Sequence, residues 1–260
     1  MMTTDVAPRV SRRPGSDLTG RVALVTGGSR GIGAGIAQRL AADGAHVMVT
    51  YGKSRDKAME VVDAISASGG VARSVQADSA TERDVVRSVS ATVAELGRLD
   101  ILVNNAGVGG LSLLHELTLA DIDLMLAVNV RAVLVATQSA LRYLPEGGRI
   151  INIGSVNADR MPFAGGSLYA TTKAAVAGFT RGLARELAPR HITVNNIQPG
   201  PVDTDLNPAN GSHAHLMFAA MASDRFGTVD EIGALASFLA GPEAAFITGA
   251  SITIDGGFGA

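Results

Sequence analysis

The chain has 260 residues, of which 47% are hydrophobic and 18% are charged, and it contains no cysteine. This length suits a single α/β domain, and the lack of cysteine excludes a disulfide framework and a thiolate metal site. The net charge of −2, from 22 Lys and Arg against 24 Asp and Glu, gives no basic surplus that would indicate nucleic acid or an anionic membrane as a partner.

The first 20 residues contain neither an apolar stretch of signal-peptide length nor a run that could span a bilayer. We therefore expect a soluble, cytoplasmic protein with no membrane partner. Residues 1–17 are predicted to form a flexible arm, and residues 18–260 a single domain. The five histidines form no H-x-x-x-H or H-E-x-x-H pattern, so no metal site is predicted.

Short apolar segments alternate with segments of helical periodicity throughout the predicted domain. The strand-like segments, in chain order, are RVALVTGG, HVMVTYG, VARSVQAD, DILVNNAG, GRIINIGS, ITVNNIQPG and SITIDGG. The predicted helices are GIGAGIAQRLAADGA, SRDKAMEVVDAISASGG, TERDVVRSVSATVAELG with Thr81 as its N-cap, a long region over 119–144, the helix that carries YATTK, and VDEIGALASFLAG. The alternation predicts an α/β fold in which helices cover both faces of a parallel sheet.

A glycine-rich segment, TGGSRGIG, links the first strand to the first helix. Its glycines follow a G-x-x-x-G-x-G spacing, which lets the backbone turn sharply and lets a pyrophosphate approach the helix N-terminus. The strand before it and the helix after it are both in place, so the segment predicts dinucleotide binding. The expected cofactor contacts in this turn are Gly27, Ser29, Arg30, Gly31, Ile32 and Gly33.

The end of the second strand indicates which dinucleotide binds. An acidic residue there would bind a ribose 2′-hydroxyl and select NAD(H), but Tyr51 occupies that position. Arg30 in the turn, and Lys53 and Arg55 on either side of Ser54 just after the strand, supply positive charge that suits a 2′-phosphate. The sequence therefore favours NADP(H) over NAD(H). The alternative is that Lys53 and Arg55 belong only to the solvated first turn of a helix.

The segment YATTK places Tyr169 and Lys173 four residues apart, on the same face of a predicted helix. Taken alone, this spacing is typical of an ordinary surface pair. It also suits an acid and the cation that tunes it, because an ammonium group stabilises a nearby phenolate and so allows proton exchange near neutral pH.

The motifs together resemble the short-chain dehydrogenase/reductase family. They are TGGSRGIG, NNAG at 104–107, Asn129, IGS ending at Ser155, YATTK, and PGPVDT at 199–204, and they occur in the family's order. The resemblance covers about residues 18–260. It implies a Rossmann fold with a seven-stranded, doubly wound parallel sheet, nicotinamide-dependent reduction of carbonyls or oxidation of alcohols, and a homotetramer.

The resemblance also implies roles for individual residues. Tyr169 would be the catalytic acid/base and Lys173 its partner, Ser155 would polarise the carbonyl, and Asn129 would hold a water in a proton relay. The implied cofactor contacts are Asp78 and Ser79 on the adenine side, then Asn105, Ala106 and Gly107, then Pro199, Gly200, Val202 and Thr204 on the nicotinamide side, together with Tyr169 and Lys173.

The loop before Tyr169 departs from the family's commonest pattern. Ser155 and Tyr169 lie fourteen residues apart, one more than is usual, so the loop VNADRMPFAGGSL is expected to carry an insertion, which bears on the shape of the substrate pocket more than on the chemistry. Its residues, with 109–111 and the segment 205–226, are expected to line a mostly apolar pocket suited to a hydrophobic ketone or an acyl chain. His213 falls in that segment.

The predicted activity is therefore NADPH-dependent reduction of a ketone to a secondary alcohol, with a tyrosine as the proton donor. Two alternatives remain open. Several loops resemble bacterial reductases grouped with a biofilm-dispersal protein that is described as binding cyclic-di-GMP, which would make the chain a regulator. Generic 3-oxoacyl-carrier-protein reductases are also similar, although less so in these loops.

Overall fold

The computed structural model describes residues 17–212 and 214–260. The predicted flexible arm therefore lies outside the described residues except for Asp17, and so does His213. The side chain of Leu18 is already buried, and its main-chain N–H donates to the Asp43 oxygen at 2.8 Å.

Seven strands form one sheet in the order β3-β2-β1-β4-β5-β6-β7, and every neighbouring pair is parallel. The strands are β1 (Val22–Val25), β2 (His46–Tyr51), β3 (Val71–Gln76), β4 (Ile101–Asn104), β5 (Arg149–Ile153), β6 (Thr193–Pro199) and β7 (Ser251–Ile254). The order reverses direction at β1 and β4, which is the topological switch point where ligands of open α/β sheets bind. The predicted α/β fold class, with a seven-stranded doubly wound sheet, is confirmed.

Eight α-helices connect and cover the strands. They are α1 (Gly31–Ala42), α2 (Arg55–Ala67), α3 (Glu82–Leu96), α4 (Leu119–Leu126), α5 (Ala132–Ala140), α6 (Ser167–Leu187), α7 (Ala214–Ala220) and α8 (Val229–Ala240), as far as the described residues extend. None of these helices is both long enough and apolar enough to cross a bilayer.

The core consists of two apolar layers, one on each face of the sheet. Alternate residues of one strand point to opposite layers: Ala23 and Val25 pack with α1 and α8, whereas Leu24 packs with α3, α5 and α6. This alternation follows from the pleat of a strand, and burial on both faces explains why β1 is apolar at every position.

Two predicted helical features differ in the structure. The long helix expected over 119–144 is divided into α4 and α5 by a π-helical turn, Ala127–Arg131, and α5 ends at Ala140. Thr81 is the N-cap residue of α3, but its side chain makes no capping hydrogen bond. Single π turns are frequent at functional sites, and this one contains Asn129.

A chain of buried polar side chains fixes the helices behind the sheet. The Asn104 carboxamide donates to the Asn152 side-chain oxygen at 2.8 Å and to the Thr137 hydroxyl at 3.1 Å. Asn152 in turn donates to the Thr180 hydroxyl at 2.9 Å. These bonds tie α5 and α6 to β4 and β5, and a buried network of paired polar groups favours one arrangement of its helices.

Candidate active site

The glycine-rich turn after β1 is held by Thr26, which the sequence analysis did not single out. Its hydroxyl donates to the Val103 oxygen at 3.3 Å and accepts from the main-chain N–H groups of Asn105 and Ala106 at 2.9 and 3.0 Å. The Asn105 carboxamide donates back to the Thr26 and Gly27 oxygens at 2.9 and 3.0 Å. These hydrogen bonds therefore hold the segments after β1 and β4 directly against each other.

The turn then leads into α1 with free polar groups at the helix start. Gly27 and Gly31 have φ of 63° and 53°, in the left-handed region where a side chain would be strained. The N-cap residue, Arg30, is extended, and no side chain caps this helix terminus. Its unbonded N–H groups and the helix dipole make a place for an anion, as the glycine spacing predicts.

The turn is also too closely packed for a side chain at Gly33. A Cβ on Gly33 would collide with the Asn105 side chain and the Gly27 oxygen. A Cβ on Gly31 would lie 3.4 Å from the Thr204 methyl group. The segment after β6, which carries Thr204, thus lies beside the start of α1, and Ser29 and Ile32 are held in the same turn.

The end of β2 presents no carboxylate. Tyr51 is the last residue of the strand and is half-buried, Lys53 is exposed, and Ser54 is the N-cap residue of α2. The strand also supports the glycine turn, because the Thr50 hydroxyl accepts from the Gly27 N–H at 2.9 Å. Thr50 is a second supporting residue that no sequence motif indicated.

In the turn after β3, the Asp78 carboxylate forms a hydrogen bond within its own turn. The Asp78 carboxylate accepts from the Ala80 N–H at 2.9 Å, which orders the turn that contains Ser79. Ser79 lines a cleft together with Thr26, Ala106 and Val128. This cleft lies between the ends of β1, β3 and β4, where the adenine end of a dinucleotide is predicted to bind.

Lys173 and Tyr169 share one face of α6, as their spacing predicts. The Lys173 side chain is only 6% exposed, and its ammonium nitrogen lies 5.6 Å from the centroid of the Tyr169 ring. The ammonium group donates one hydrogen bond, to the Ile153 main-chain oxygen at 2.8 Å. Since an ammonium group has three donors, two remain for other partners.

Ser155 follows β5 and is almost fully buried, at 7% exposure. Its side-chain oxygen accepts from the Asn157 N–H at 3.2 Å. That bond occupies a lone pair and leaves the hydroxyl hydrogen free to be donated. A serine held this way can donate to an oxygen that gains negative charge, as an oxyanion-stabilising group does.

Asn129 lies in the π turn and is 2% exposed. Its side-chain oxygen accepts from the Val108 N–H at 2.8 Å, and its amide nitrogen donates to the Val108 oxygen at 2.8 Å and to the Thr172 hydroxyl at 3.1 Å. The Thr172 hydroxyl donates to the main-chain oxygen of Tyr169 at 2.8 Å. Asn129 thus joins the segment after β4 to the helix that carries Tyr169, and Thr172 is the third supporting residue that sequence reasoning missed.

The segment after β4 also reaches the Tyr169 ring. A Cβ built on Gly109 would lie 3.3 Å from the ring's edge, and one on Gly107 would lie 3.7 Å from the Lys173 nitrogen. Small residues at these positions therefore allow the segment to pass close to both side chains. Asn105, Ala106 and Gly107 all lie on this approach.

The segment after β6 crosses toward α2. The last residue of β6, Pro199, is buried, and so is Val202, at 4% exposure. Gly200 packs so closely against Asp255 that a Cβ at this position would lie 2.6 Å from it. Beyond them, Asp205 forms an ion pair with Lys57. Lys57, with a smaller contribution from Arg30, lowers the pKa of the Asp205 carboxyl.

Aromatic rings lie on both segments that follow Ser155 and Thr204. Phe163 packs on Phe258 with a centroid distance of 6.1 Å, and Phe218 in α7 packs on Phe226 at 4.9 Å. Met161 packs against Gly166 instead of extending away from its own loop. The Asn157 side-chain oxygen is buried without a hydrogen-bond partner among the described residues.

The chain is similar to known proteins over most of its length. Residues 21–214 match the family described as short chain dehydrogenase. The chain is 49% identical to the cyclic-di-GMP-binding biofilm dispersal mediator protein of Escherichia coli K12, over 93% of this chain and 98% of that one. It is 42% identical to a 3-oxoacyl-[acyl-carrier-protein] reductase of Synechocystis, over 92% and 97% of the two chains.

The chain is also similar to a solved structure. The crystal structure of a short chain dehydrogenase from Burkholderia cenocepacia in complex with NADP superposes with a TM-score of 0.92 and 55% sequence identity. The match covers 94% of this chain and 100% of that one.

Proposed function

The chain belongs to the short-chain dehydrogenase/reductase family, and from that membership we propose that it is an NADP(H)-dependent carbonyl reductase that converts a ketone reversibly to a secondary alcohol. The observation that carries this proposal is the buried Lys173 ammonium group 5.6 Å from the Tyr169 ring centroid. Burying a charged group is costly, and a purely structural helix has no need of it.

The residues at the strand ends suit NADP(H). The uncapped start of α1 would hold the pyrophosphate, Arg30 and Lys53 the 2′-phosphate, and Asp78 with Ser79 the adenine side. The lack of a carboxylate at the end of β2 supports NADP(H) over NAD(H), as does the NADP bound to the Burkholderia relative. The remaining cofactor contacts are proposed at Asn105, Ala106, Gly107, Pro199, Gly200, Val202 and Thr204. When bound, NADPH supplies the hydride that reaches the carbonyl carbon.

The chain's own residues then handle the carbonyl oxygen. Ser155 donates its free hydroxyl hydrogen to that oxygen, which orients the substrate and stabilises the developing negative charge. The Tyr169 hydroxyl transfers its proton to the same oxygen, completing the alcohol, and is left as a phenolate. Lys173 stabilises that phenolate, and the second lone pair of the Asn129 side-chain oxygen can accept from a water that returns a proton.

The first test is consumption of NADPH by the purified chain with a panel of aliphatic ketones, aryl ketones and a 3-oxoacyl thioester. We expect turnover of at least one ketone and formation of the matching alcohol. The thioester separates the carrier-protein reductase alternative from a general carbonyl reductase. Failure of the whole panel with both NADPH and NADH would contradict the proposal.

A second candidate function is binding of cyclic-di-GMP as a regulator, and the 49% identity to the Escherichia coli protein of that description favours it. A calorimetric titration with cyclic-di-GMP, run beside the ketone panel, separates the two. Micromolar binding together with a lack of turnover would reverse the ranking. Turnover without binding supports the reductase alone.

A homotetramer is proposed from family membership. The exposed side chains of Leu119 on α4 and Leu134 on α5 lie on surfaces that a second copy would cover. Light scattering after gel filtration tests this, and a monomer at micromolar concentration would contradict it.

A further inference from the structure

A turn formed by residues 255–260 lies between the two segments proposed to line the substrate pocket. We call it the 255–260 turn. The Asp255 carboxylate builds it by accepting from the N–H groups of Gly257 at 3.0 Å and Gly259 at 2.6 Å. Gly256 and Gly257 have φ of 60° and 77°, so the turn needs glycine at both positions.

One side of the turn holds the loop after Ser155. The Arg160 guanidinium donates to the main-chain oxygens of Phe258 at 2.6 Å and Ala260 at 2.8 Å. Phe258 is 2% exposed and packs on Phe163 of the same loop. Immediately before Arg160, the Asp159 carboxylate accepts from the buried Gln198 side chain of β6 at 2.9 Å. The loop is therefore fixed at two successive residues, to the sheet and to the turn.

The other side of the turn holds the end of the segment that contains α7. The Gly256 oxygen accepts from the N–H groups of Ala222 at 3.1 Å and Ser223 at 2.8 Å. A Cβ on Gly257 would lie 2.6 Å from the Ala222 side chain, so the two backbones approach as closely as glycine permits. The turn thus bonds to both proposed pocket walls at once.

We propose that Arg160 is a positioning residue that sets the substrate pocket through the 255–260 turn, and that the turn couples the loop 156–166 to the segment 220–226. The inference rests on the proposed function only in its kinetic consequence. Arg160 carries a fixed charge and donates two hydrogen bonds to main-chain oxygens, which hold the loop that follows Ser155. Bulky ketones fill more of the pocket, and they depend on this arrangement more than small ones do.

The coupling is tested by hydrogen–deuterium exchange on the full chain without substrate. Arg160→Met keeps the aliphatic stem and removes the donors. Arg73→Met is the matched control, because Arg73 is an exposed arginine whose guanidinium donates to the Ala72 oxygen on a distant strand. We expect faster exchange in both 156–166 and 220–226 for Arg160→Met only. Faster exchange confined to 156–166, or no change in either segment, would overturn the coupling.

The kinetic consequence is tested with ketones that the wild-type chain reduces. For Arg160→Met we expect KM for a bulky aryl ketone to rise roughly 3- to 10-fold, with a smaller rise for a short ketone and no change in KM for NADPH. Arg160→Lys keeps a cationic donor and should restore part of the loss. An equal effect on both ketones, or a fall in kcat alone, would contradict a positioning role.

Failure of the proposed reductase function can be distinguished from failure of the proposed coupling. If the wild-type chain reduces no ketone, the proposed function fails, while the exchange experiment still decides whether the turn couples the two segments. If Arg160→Met does not fold, Phe258→Leu loosens a second contact between the same loop and the turn, the packing of the Phe258 ring on Phe163. It should give the same paired increase in exchange, and an increase in one segment alone would again count against coupling.

Discussion

The Lys173 ammonium nitrogen lies 5.6 Å from the centroid of the Tyr169 ring, in a position where the lysine side chain is only 6% exposed. The two residues lie one helical turn apart on α6, so their relative position is fixed by the helix itself. The ammonium is held from behind by the Ile153 main-chain oxygen at 2.8 Å. A cation held in this way can stabilise a phenolate and still bind another group.

Tyr169→Phe removes the proposed proton donor and leaves the rest of the helix unchanged. We expect turnover to fall by about 10²- to 10⁴-fold, because a positioned general acid contributes this much to a rate. Binding of NADPH, measured by fluorescence titration, should stay near the wild-type value. Near-wild-type turnover in this variant would remove Tyr169 from the mechanism.

Asn129→Ala removes three hydrogen bonds that join the segment after β4 to α6. We expect the free energy of unfolding in urea to fall by about 1–3 kcal/mol, because the Val108 groups lose buried partners. We also expect kcat to fall, because Gly109 packs against the Tyr169 ring. Thr172→Val is the matched control that removes one of the three bonds, and its losses should be smaller. Equal losses in the two variants would show that the Val108 bonds do not matter.

Tyr51→Asp places a carboxylate at the end of β2, where NAD-selective sheets have one. We expect KM for NADPH to rise about tenfold or more, because the carboxylate repels the 2′-phosphate, and KM for NADH to fall. Tyr51→Asn has nearly the same shape without the charge and serves as the control. If both variants change the NADPH-to-NADH ratio equally, the loss of the tyrosine ring explains the effect and charge does not.

Glu231 provides a test at acidic pH. Its carboxylate pairs with Arg225 at 2.7 Å and accepts from the Thr228 N–H at 2.8 Å, and these contacts lower its pKa from 4.5 to about 2. Because the folded-state pKa is the lower one, the stabilisation is complete above about pH 4.5 and is lost as the pH falls toward about 2. The side chain is 41% exposed, so the effect is at most about 1 kcal/mol.

The measurement compares urea unfolding of the wild type and Glu231→Gln across this range. The difference in free energy of unfolding should be constant between neutral pH and pH 5, and should shrink below about pH 4.5. The control is Glu60→Gln, because Glu60 is an exposed glutamate of α2. A difference that grows as the pH falls would contradict the assigned direction.

The sequence by itself determined the fold class and predicted the residues of the proposed site. Alternation of apolar and helical segments is a local property, and it predicted seven strands and a sheet covered on both faces. The reductase-type site at Asn129, Ser155, Tyr169 and Lys173 was predicted through the resemblance of the motifs to a known family, whereas the helical repeat alone placed Tyr169 and Lys173 on one face. The preference for NADP(H), which follows from Tyr51 in place of an acidic residue, was likewise predicted from the sequence alone.

The tertiary structure decided what supports those residues. Thr26 and Thr172 lie inside the motifs TGGSRGIG and YATTK, and Thr50 lies in β2, but no role was predicted for any of them from the sequence. A threonine hydroxyl acquires such a role only from the polar groups that the folded chain brings to it. The π turn at 127–131 was missed because periodicity does not distinguish one extra residue in a helical turn. Arg160 and Phe258 are 98 residues apart, and only the sheet brings them together. Contacts between distant segments depend on the packing of the whole domain, and no local pattern encodes them.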